Sequence, residues 1–553
     1  MSRFVRFNWS KRTMKRLILA SIALVLIYYI IQNQPFINFL NMIRKDSDQS
    51  PYSVKTFSHG LIPGDFMMSN ETYNLMSNNL ELNLVTLQIP LTVHYFWCHD
   101  KQFEFQHYLS IFGAFRFLKP TRIIFHYYVR PKLDTYGYYQ YFGDLFRYIP
   151  VIVEEKLSEM CSDASVRKNL ILKTLNERGG IYIGETTILT NSLSWFRNLQ
   201  FSYSPGFELI LMKRGAIGPS SVTSFLKSTP SNLICVHQNN FKHSTKISDC
   251  VIINSEIFPK DIMTLDSEFG RLTRWIYYGS KKLRTPQIQE GKMAPLIVHY
   301  VWLGKRPFTF DKYLGLLSSV YVLKAEFVYI HGDVKPIGPY WDEAKRIPNV
   351  KFIFREFPTS VFGNEIIKWA SHASDVLRAD ILIRYGGIYC DWDVLWVNPI
   401  PERLRKYDAI VSIDWPGAGK FPDIFNPGVL IAQKGSKYMQ YFLESYRYYL
   451  DNDWTYNAVY MPYKIYEQHS DLVLEEPHLQ VICANQACHP TWLPGYNKYS
   501  HLNKLKFDWR NETMCIHITY PDPSEYESPE ALHSSDSMFG DIGKFVMKRA
   551  GLH

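Results

Sequence analysis

Two aspartates one residue apart, Asp391 and Asp393, close the string Gly386-Gly387-Ile388-Tyr389-Cys390-Asp391-Trp392-Asp393. In an extended segment alternate side chains leave the same face, so both carboxylates project together while Trp392 turns toward packing. Carboxylates so close repel unless a cation lies between them. Hard oxygen ligands suit Mg²⁺ or Mn²⁺, ions that usually arrive bound to substrate phosphates. Upstream, Asp375 and Arg378 stand at i, i+3 and share one face of a helix. An anion and a cation so placed can hold sugar hydroxyls and phosphate oxygens.

The elements that must position these groups are legible around them. Ile366, Ile367, Ala370, Ala373, Leu377, Ile381 and Leu382 recur at helical spacing, which predicts a helix from Glu365 to Tyr385. Gly386 and Gly387 supply its left-handed stop, and Ile388-Tyr389-Cys390 reads as a short buried strand. Leu296–Trp302 reads as the first strand of an α/β sheet, with Gly304 opening the loop where ligands of such sheets bind. His299 within it reads as a satisfied core histidine. Asp408–Asp414 and the run from Phe425 are further strands, joined through the loop Trp415–Lys420, and Cys515-Ile516-His517 ends a late one.

Ser374-Asp375-x-x-Arg378, then Gly-Gly-Ile-Tyr, then Asp-x-Asp resembles the sugar-nucleotide signature of glycosyltransferases with a DXD motif. It is most similar to glycosyltransferase family 32, the group of the initiation-specific mannosyltransferases and the lactosylceramide galactosyltransferase, over roughly Pro295 to Pro521. The resemblance implies a GT-A nucleotide-binding α/β domain and transfer with retention at the anomeric carbon. By the same resemblance Asp393 anchors a divalent metal, Mn²⁺ or Mg²⁺, and Asp391 bridges the metal and the ribose or sugar. Arg378 steadies the departing phosphate or the sugar, Asp375 holds the donor, and Gly386, Gly387 and Tyr389 shape the approach. Trp302 is the candidate to stack on the base, Asn426 to lie beside the donor sugar, and His517 to reach the metal or diphosphate.

The ends of the chain suggest where it works. Of the formal charge of +9 in 553 residues, Arg3, Arg6, Lys11, Arg12, Lys15 and Arg16 contribute six, which leaves no nucleic-acid footprint elsewhere. They precede the apolar run Leu17–Ile31, with bulky Tyr28–Ile31 where a cleavage site would need small residues. An uncleaved signal anchor over 17–33 is therefore expected, with a cytosolic tail of residues 1–16 and a stem of residues 34–87. The expected topology is a single-pass type II membrane protein with its catalytic part in the Golgi lumen, a short span suiting a thin early secretory membrane. The sequons at Asn70 and Asn511 would then be open to glycosylation, and the eight cysteines free to pair, with Cys483/Cys488 and Cys235/Cys250 as close neighbours.

The chain also contains itself twice. Pro90-Leu-Thr-Val-His-Tyr-Phe-Trp97 answers Pro295-Leu-Ile-Val-His-Tyr-Val-Trp302, and Gly179-Gly-Ile-Tyr182 answers Gly386-Gly-Ile-Tyr389, at nearly one offset. The fold expected is α/β: a GT-A-like domain in two tandem copies, 88–260 and 295–553, joined by a linker over 261–294. The first copy is degenerate, because it offers Glu185 where the second has two aspartates, and Lys168 and Ile171 where the second has Asp375 and Arg378. The expected function is a luminal hexosyltransferase taking a nucleotide-sugar donor and a glycan or glycolipid acceptor. The alternative is a non-catalytic sugar-nucleotide- or glycan-binding partner of another glycosyltransferase.

Overall fold

The computed structural model describes residues 88–132, 138–218, 231–238, 249–366, 370–415, 421–484, 487–497 and 505–552. All of these belong to one compact unit, residues 57–553. The expected tail, anchor and stem, and the sequon at Asn70, lie outside the described residues. Among the described residues no helix is long and apolar enough to cross a membrane.

Two mixed sheets carry the chain. The first is built from β1 (Thr92–Trp97), β2 (Arg122–Tyr127), β3 (Ile152–Lys156), β4 (Gly180–Ile183), β5 (Phe201–Tyr203) and β6 (Leu209–Met212), in the order β3-β2-β1-β4-β6-β5. The second comprises β7 (Ile297–Trp302), β8 (Phe327–Gly332), β9 (Val350–Phe354), β10 (Gly387–Cys390), β11 (Ala409–Ile413), β12 (Phe425–Ala432) and β13 (Val473–Glu475). Its order, β9-β8-β7-β10-β12-β11-β13, repeats the first and adds one edge strand. In each sheet the early strands run parallel and are buried on both sides, which explains their near-continuous apolar runs. The helices α1 (Ala164–Arg178) and α2 (Ala370–Tyr385) precede β4 and β10.

The same buried polar device recurs in both sheets. His94 Nδ1 lies 3.0 Å from His126 Nε2, and its Nε2 lies 3.2 Å from the Gly179 carbonyl. His299 makes the equivalent contacts to His331 at 3.0 Å and to the Gly386 carbonyl at 2.9 Å. Burial pulls both His94 and His299 down to about 4, so each is a neutral core histidine at neutral pH. The glycines serve this packing: at Gly387, with φ +114°, a Cβ would lie 2.6 Å from the Ile297 carbonyl oxygen and 3.0 Å from His299 Nε2. Only glycine admits so close an approach at that φ.

The residues between the sheets are more than a connection. Ser267 caps the helix Glu268–Tyr278, whose Phe269, Ile276, Tyr277 and Tyr278 are buried against the first half. The stretch expected as a linker over 261–294 is thus in good part core of the first half, with its polar end from Lys281 onward left as the connection. The predicted helix from Glu365 is also shorter, since Asn364–Glu365 pairs with Ser360–Val361 in a small hairpin and α2 is helical from Ala370. A third, four-stranded sheet runs in the order Val394–Trp396, Cys515–Tyr520, Gln480–Ala484, Ala487–His489. Disulfides join Cys98–Cys161, Cys235–Cys250 and Cys483–Cys488, while Cys390 and Cys515 are buried and free.

One hydrophobic cluster runs through both halves and surrounds a buried acid. Glu467, 0% exposed, accepts a hydrogen bond from the Tyr138 hydroxyl at 3.0 Å, while the Lys464 ammonium donates to the Tyr138 carbonyl at 2.8 Å. Burial pushes the Glu467 carboxyl from its ordinary 4.5 up to about 7, against the pull of Lys464 and Lys260. A carboxyl with a raised folded pKa binds its proton more tightly in the folded protein. The stability it confers is full below about 4.5 and is lost as pH climbs through about 7, a swing on the order of 3 kcal/mol. Thermal unfolding of Glu467→Gln should therefore depend less steeply on pH between about 5 and about 8 than that of the wild type. Parallel profiles would show that Glu467 is ionised throughout.

Candidate functional site

The site gathers where β10, β11 and β12 end beside the third sheet. The helix α2 brings Asp375 and Arg378 one turn apart, both buried at 3% and 5% exposure. An isolated buried guanidinium would be costly, so its partners define the geometry. One Arg378 amino group lies 2.9 Å from Asp375 Oδ1 and 3.3 Å from Asp391 Oδ1; the other donates to the Pro427 carbonyl at 2.8 Å. The guanidinium also sits over the Tyr389 ring at 4.3 Å, and the Tyr389 hydroxyl donates to Asp391 Oδ1 at 2.7 Å. Burial pulls Arg378 down, but Asp391, Tyr389 and Asp375 more than offset it and keep the group charged.

Beyond Cys390 the chain turns instead of continuing extended, with the Val394 amide donating to the Asp391 carbonyl at 3.3 Å. Trp392 is buried, stacked on Tyr300 at 4.2 Å, as alternation predicted. The turn leaves the Asp391 and Asp393 side chains 31% and 25% exposed, both facing His517 of the neighbouring strand. Asp391, Asp393 and His517 each present one ligand atom, and these atoms lie within 4.8 Å of one another.

A buried glutamine sets the histidine. Gln480 Nε2 donates to Ser412 Oγ at 2.7 Å and to the Asn426 carbonyl at 3.2 Å, which leaves Oε1 facing His517 Nδ1 at 3.1 Å. This orientation follows from the hydrogen-bond network. Nδ1 therefore carries its hydrogen, and Nε2 faces Asp393 Oδ1 at 3.2 Å. A lone pair and a carboxylate oxygen at that distance need a proton or a cation between them. With a proton, burial pulls His517 down while Asp393, then Asp391 and Asp414, more than offset it and raise it. Burial likewise pushes Asp393 up, and His517 with Lys312 brings it below its ordinary value. With a divalent cation the same atoms form a two-carboxylate, one-imidazole donor set, oriented by an outer hydrogen bond as metal-binding histidines require.

Residues 318–411 match the family described as glycosyltransferase sugar-binding region containing DXD motif. The chain carries a DXD-type glycosyltransferase domain. The glucan organizing enzyme 1 of Cryptococcus neoformans var. grubii serotype A (strain H99) is 27% identical over 225 residues, 38% of this chain and 59% of that protein. This chain thus spans less than two thirds of that relative's length. Among solved structures, the PaToxG glycosyltransferase is 16% identical, covering 32% of this chain and 70% of its own, with a TM-score of 0.25. The glycosyltransferase GlyE of Streptococcus pneumoniae TIGR4 is 13% identical, covering 47% and 61%, with a TM-score of 0.27. Likenesses at such TM-scores say nothing about the chemistry of this chain.

Within the glycosyltransferase domain the expected residues separate into two groups. Asp375, Arg378, Tyr389, Asp391, Asp393 and His517 converge. Asn426 adjoins them but is engaged at both ends, its Nδ2 donating to Asp414 at 3.1 Å and its Oδ1 accepting from the Gly428 amide at 2.8 Å. It shapes the turn. Trp302 is 1% exposed, packed on Phe308 and edge-on to Trp392 and covered by the Arg306 guanidinium at 4.2 Å, so it is core and offers no open face to a base. Gly386 and Gly387 lie at the amino end of β10, the opposite end from Asp391, and serve packing, not substrate approach.

Sequence reading missed Gln480, Ser412, Asp414 and Lys312. None lies near the DXD string; strand pairing brings Gln480, Ser412 and Asp414 to it, and the packing of the helix Phe310–Leu317 brings Lys312. Burial pushes Asp414 up to about 6, while His517, the Trp415 amide and Asn426 pull the other way. Gly428 is equally concealed: a Cβ there would lie 2.2 Å from His517 Cε1. Replacing Gln480 with Leu, or Gly428 with Ala, should weaken Mn²⁺ binding measured by titration calorimetry about tenfold or more, with the far-ultraviolet dichroism unchanged. Wild-type affinity in both variants would separate His517 from the metal.

Proposed function

We propose that the chain is a metal-dependent hexosyltransferase that moves a sugar from a nucleotide-sugar donor to a glycan or glycolipid acceptor. The observation that carries this reading is the group of the partly exposed Asp391 and Asp393 with the buried His517, backed by the buried Arg378, at one end of the sheet. A cation bound there, Mn²⁺ on this reading, would neutralise charge developing on the departing diphosphate. The protein's own groups supply the rest. Arg378 fixes Asp391 and the Asn426-Pro-Gly428 turn, Gln480 fixes the imidazole, and Asp391 and Asp393 leave part of their surface open for substrate oxygens.

The finer reading rests on the motif: family 32, a GT-A-like domain, and retention through attack by the acceptor hydroxyl on the face the diphosphate leaves. The cationic residues ahead of Leu17–Ile31 support a type II anchor and a Golgi lumenal catalytic part. We read the two halves as a duplication whose first copy no longer binds donor. The repeated strand order and the repeated histidine device support this. So does Glu185, which is paired with Lys101 at 2.7 Å and Arg167 at 3.9 Å and, among the described residues, joins no group of three metal-ligating side chains.

The test is a panel of UDP- and GDP-sugars offered to the full chain in detergent with Mn²⁺, reading nucleoside diphosphate release and sugar transfer. Asp393→Ala should lower turnover by about a hundredfold or more, and chelation should abolish it until Mn²⁺ is restored. Equal transfer by Asp393→Ala and wild type would dismiss this site.

A further inference from the structure

Beside the carboxylates lies a second set of groups that the donor reading leaves unused. In the third sheet His517 pairs with Ile482, and Ile482 pairs with His489. Residues directly opposed across strands share a face, so His489 emerges on the same side as His517, two strand spacings or about 10 Å away. The Cys483–Cys488 disulfide ties the hairpin that carries it. Trp415 stacks on His489 with ring centroids 4.4 Å apart and planes within 8°, and Tyr496 meets the same imidazole edge-on at 6.2 Å. Trp415 and Tyr496 are both half-buried.

Between this aromatic wall and the metal ligands stands Asp414, whose charge acts on both His517 and Tyr496. Its carboxylate accepts from the Trp415 amide at 2.7 Å and from Asn426 at 3.1 Å, which leaves lone pairs unspent. The Tyr496 hydroxyl is buried and has no hydrogen-bond partner among the described residues. Such an orphan costs free energy unless a ligand satisfies it. A pyranose asks for this combination: aromatic walls for its C–H faces, an ionised acceptor and a donor–acceptor hydroxyl for its own hydroxyls.

We propose that Asp414, Trp415 and Tyr496 form the subsite for the acceptor, and that the acceptor presents a hexopyranose ring to it. The assignment rests on the transferase reading above and places the receiving sugar across the metal ligands from Arg378. Asp414 accepts from a ring hydroxyl, Tyr496 completes the hydrogen bonding, and Trp415 bounds the ring.

Tyr496→Phe is the informative variant, because it deletes a hydroxyl that makes no hydrogen bond among the described residues, and so should fold with an unchanged or higher melting temperature. With the full chain, Mn²⁺ and methyl hexopyranosides (gluco, galacto and manno, both anomers) as acceptors, Tyr496→Phe should raise the acceptor KM about fivefold to tenfold. The donor KM should not move. Trp415→Leu, which keeps an apolar cover on His489, should raise the acceptor KM at least as much. Saturation-transfer NMR of the same glycosides reads the subsite without turnover, and the signal should fall in both variants. If wild type binds none of the glycosides, or Tyr496→Phe binds and uses them as wild type does, the subsite is refuted. If glycosides bind through Tyr496 but no nucleotide sugar is turned over, the subsite stands as a glycan site and the transferase reading fails.

Discussion

A single buried guanidinium holds together the end of the sheet that carries the candidate site. Arg378 joins three segments distant in sequence: its own helix through Asp375, the DXD turn through Asp391, and the Asn-Pro-Gly turn through the Pro427 carbonyl. Exposed ion pairs contribute little, but breaking a buried one by removing a partner typically costs about 3–5 kcal/mol, because the remaining charge is stranded. Asp375 shows the stake from the other side, since burial pushes its carboxyl up and Arg378 is the foremost group opposing that. The site is thus rigid where it must resist repulsion between acids and open only at the outer edges of Asp391 and Asp393. Arg378 acts here as a structural cation.

The motif was legible because its parts lie close in sequence and obey local periodicities. Asp375 and Arg378 share a helix face, the glycines stop that helix, and Trp392 turns away from the acids, all as spacing requires. What escaped is what strand pairing decides. Gln480 and Gly428 acquire their roles only because Gln480–Ala484 lies against Cys515–Tyr520 and β12 passes beneath His517. The misreadings have a common cause as well. The tandem glycines border the motif in sequence, Trp302 ends the strand paired beside it, and the family pattern invited a ligand role for each. Yet a strand of four residues separates Gly387 from Asp391 by about 13 Å, enough to move a residue from the site into the core.

The two halves share a strand order and differ in the charged groups at their strand ends. Strand order, histidine pairs and tyrosine-to-carbonyl bonds persist: Tyr95 donates to Ser110 at 3.0 Å and Tyr300 to Gly315 at 3.2 Å. These are interactions on which folding depends. At the strand ends, by contrast, Glu185 pairs with Lys101 and Arg167, whereas Asp391 and Asp393 hold an excess of negative charge near His517. The first half retains a use nonetheless. Its Lys260 pairs with Asp423 at 2.6 Å, and its Tyr138 packs on Phe421 at 4.8 Å. Both partners lie on the segment that leads back from Trp415 into β12, so the first half braces the segment bordering the site.

The pairing of His517 with Asp393 carries the remaining tension in the site. Gln480 commits Nδ1 to donating, so Nε2 can face the carboxylate only through a proton or a cation. The proton satisfies one contact and leaves Asp391 to Arg378 and Tyr389. A divalent cation would engage all three ligand atoms and displace the proton. Proton and metal therefore compete for one lone pair, and the fixed glutamine makes that competition direct, since the ring cannot flip to escape it without stranding Gln480 in the core. A surface histidine in the same place would rotate away from the acids. Burial at 4% exposure, with the amide behind it, keeps the imidazole aimed at the point where the carboxylates repel each other most.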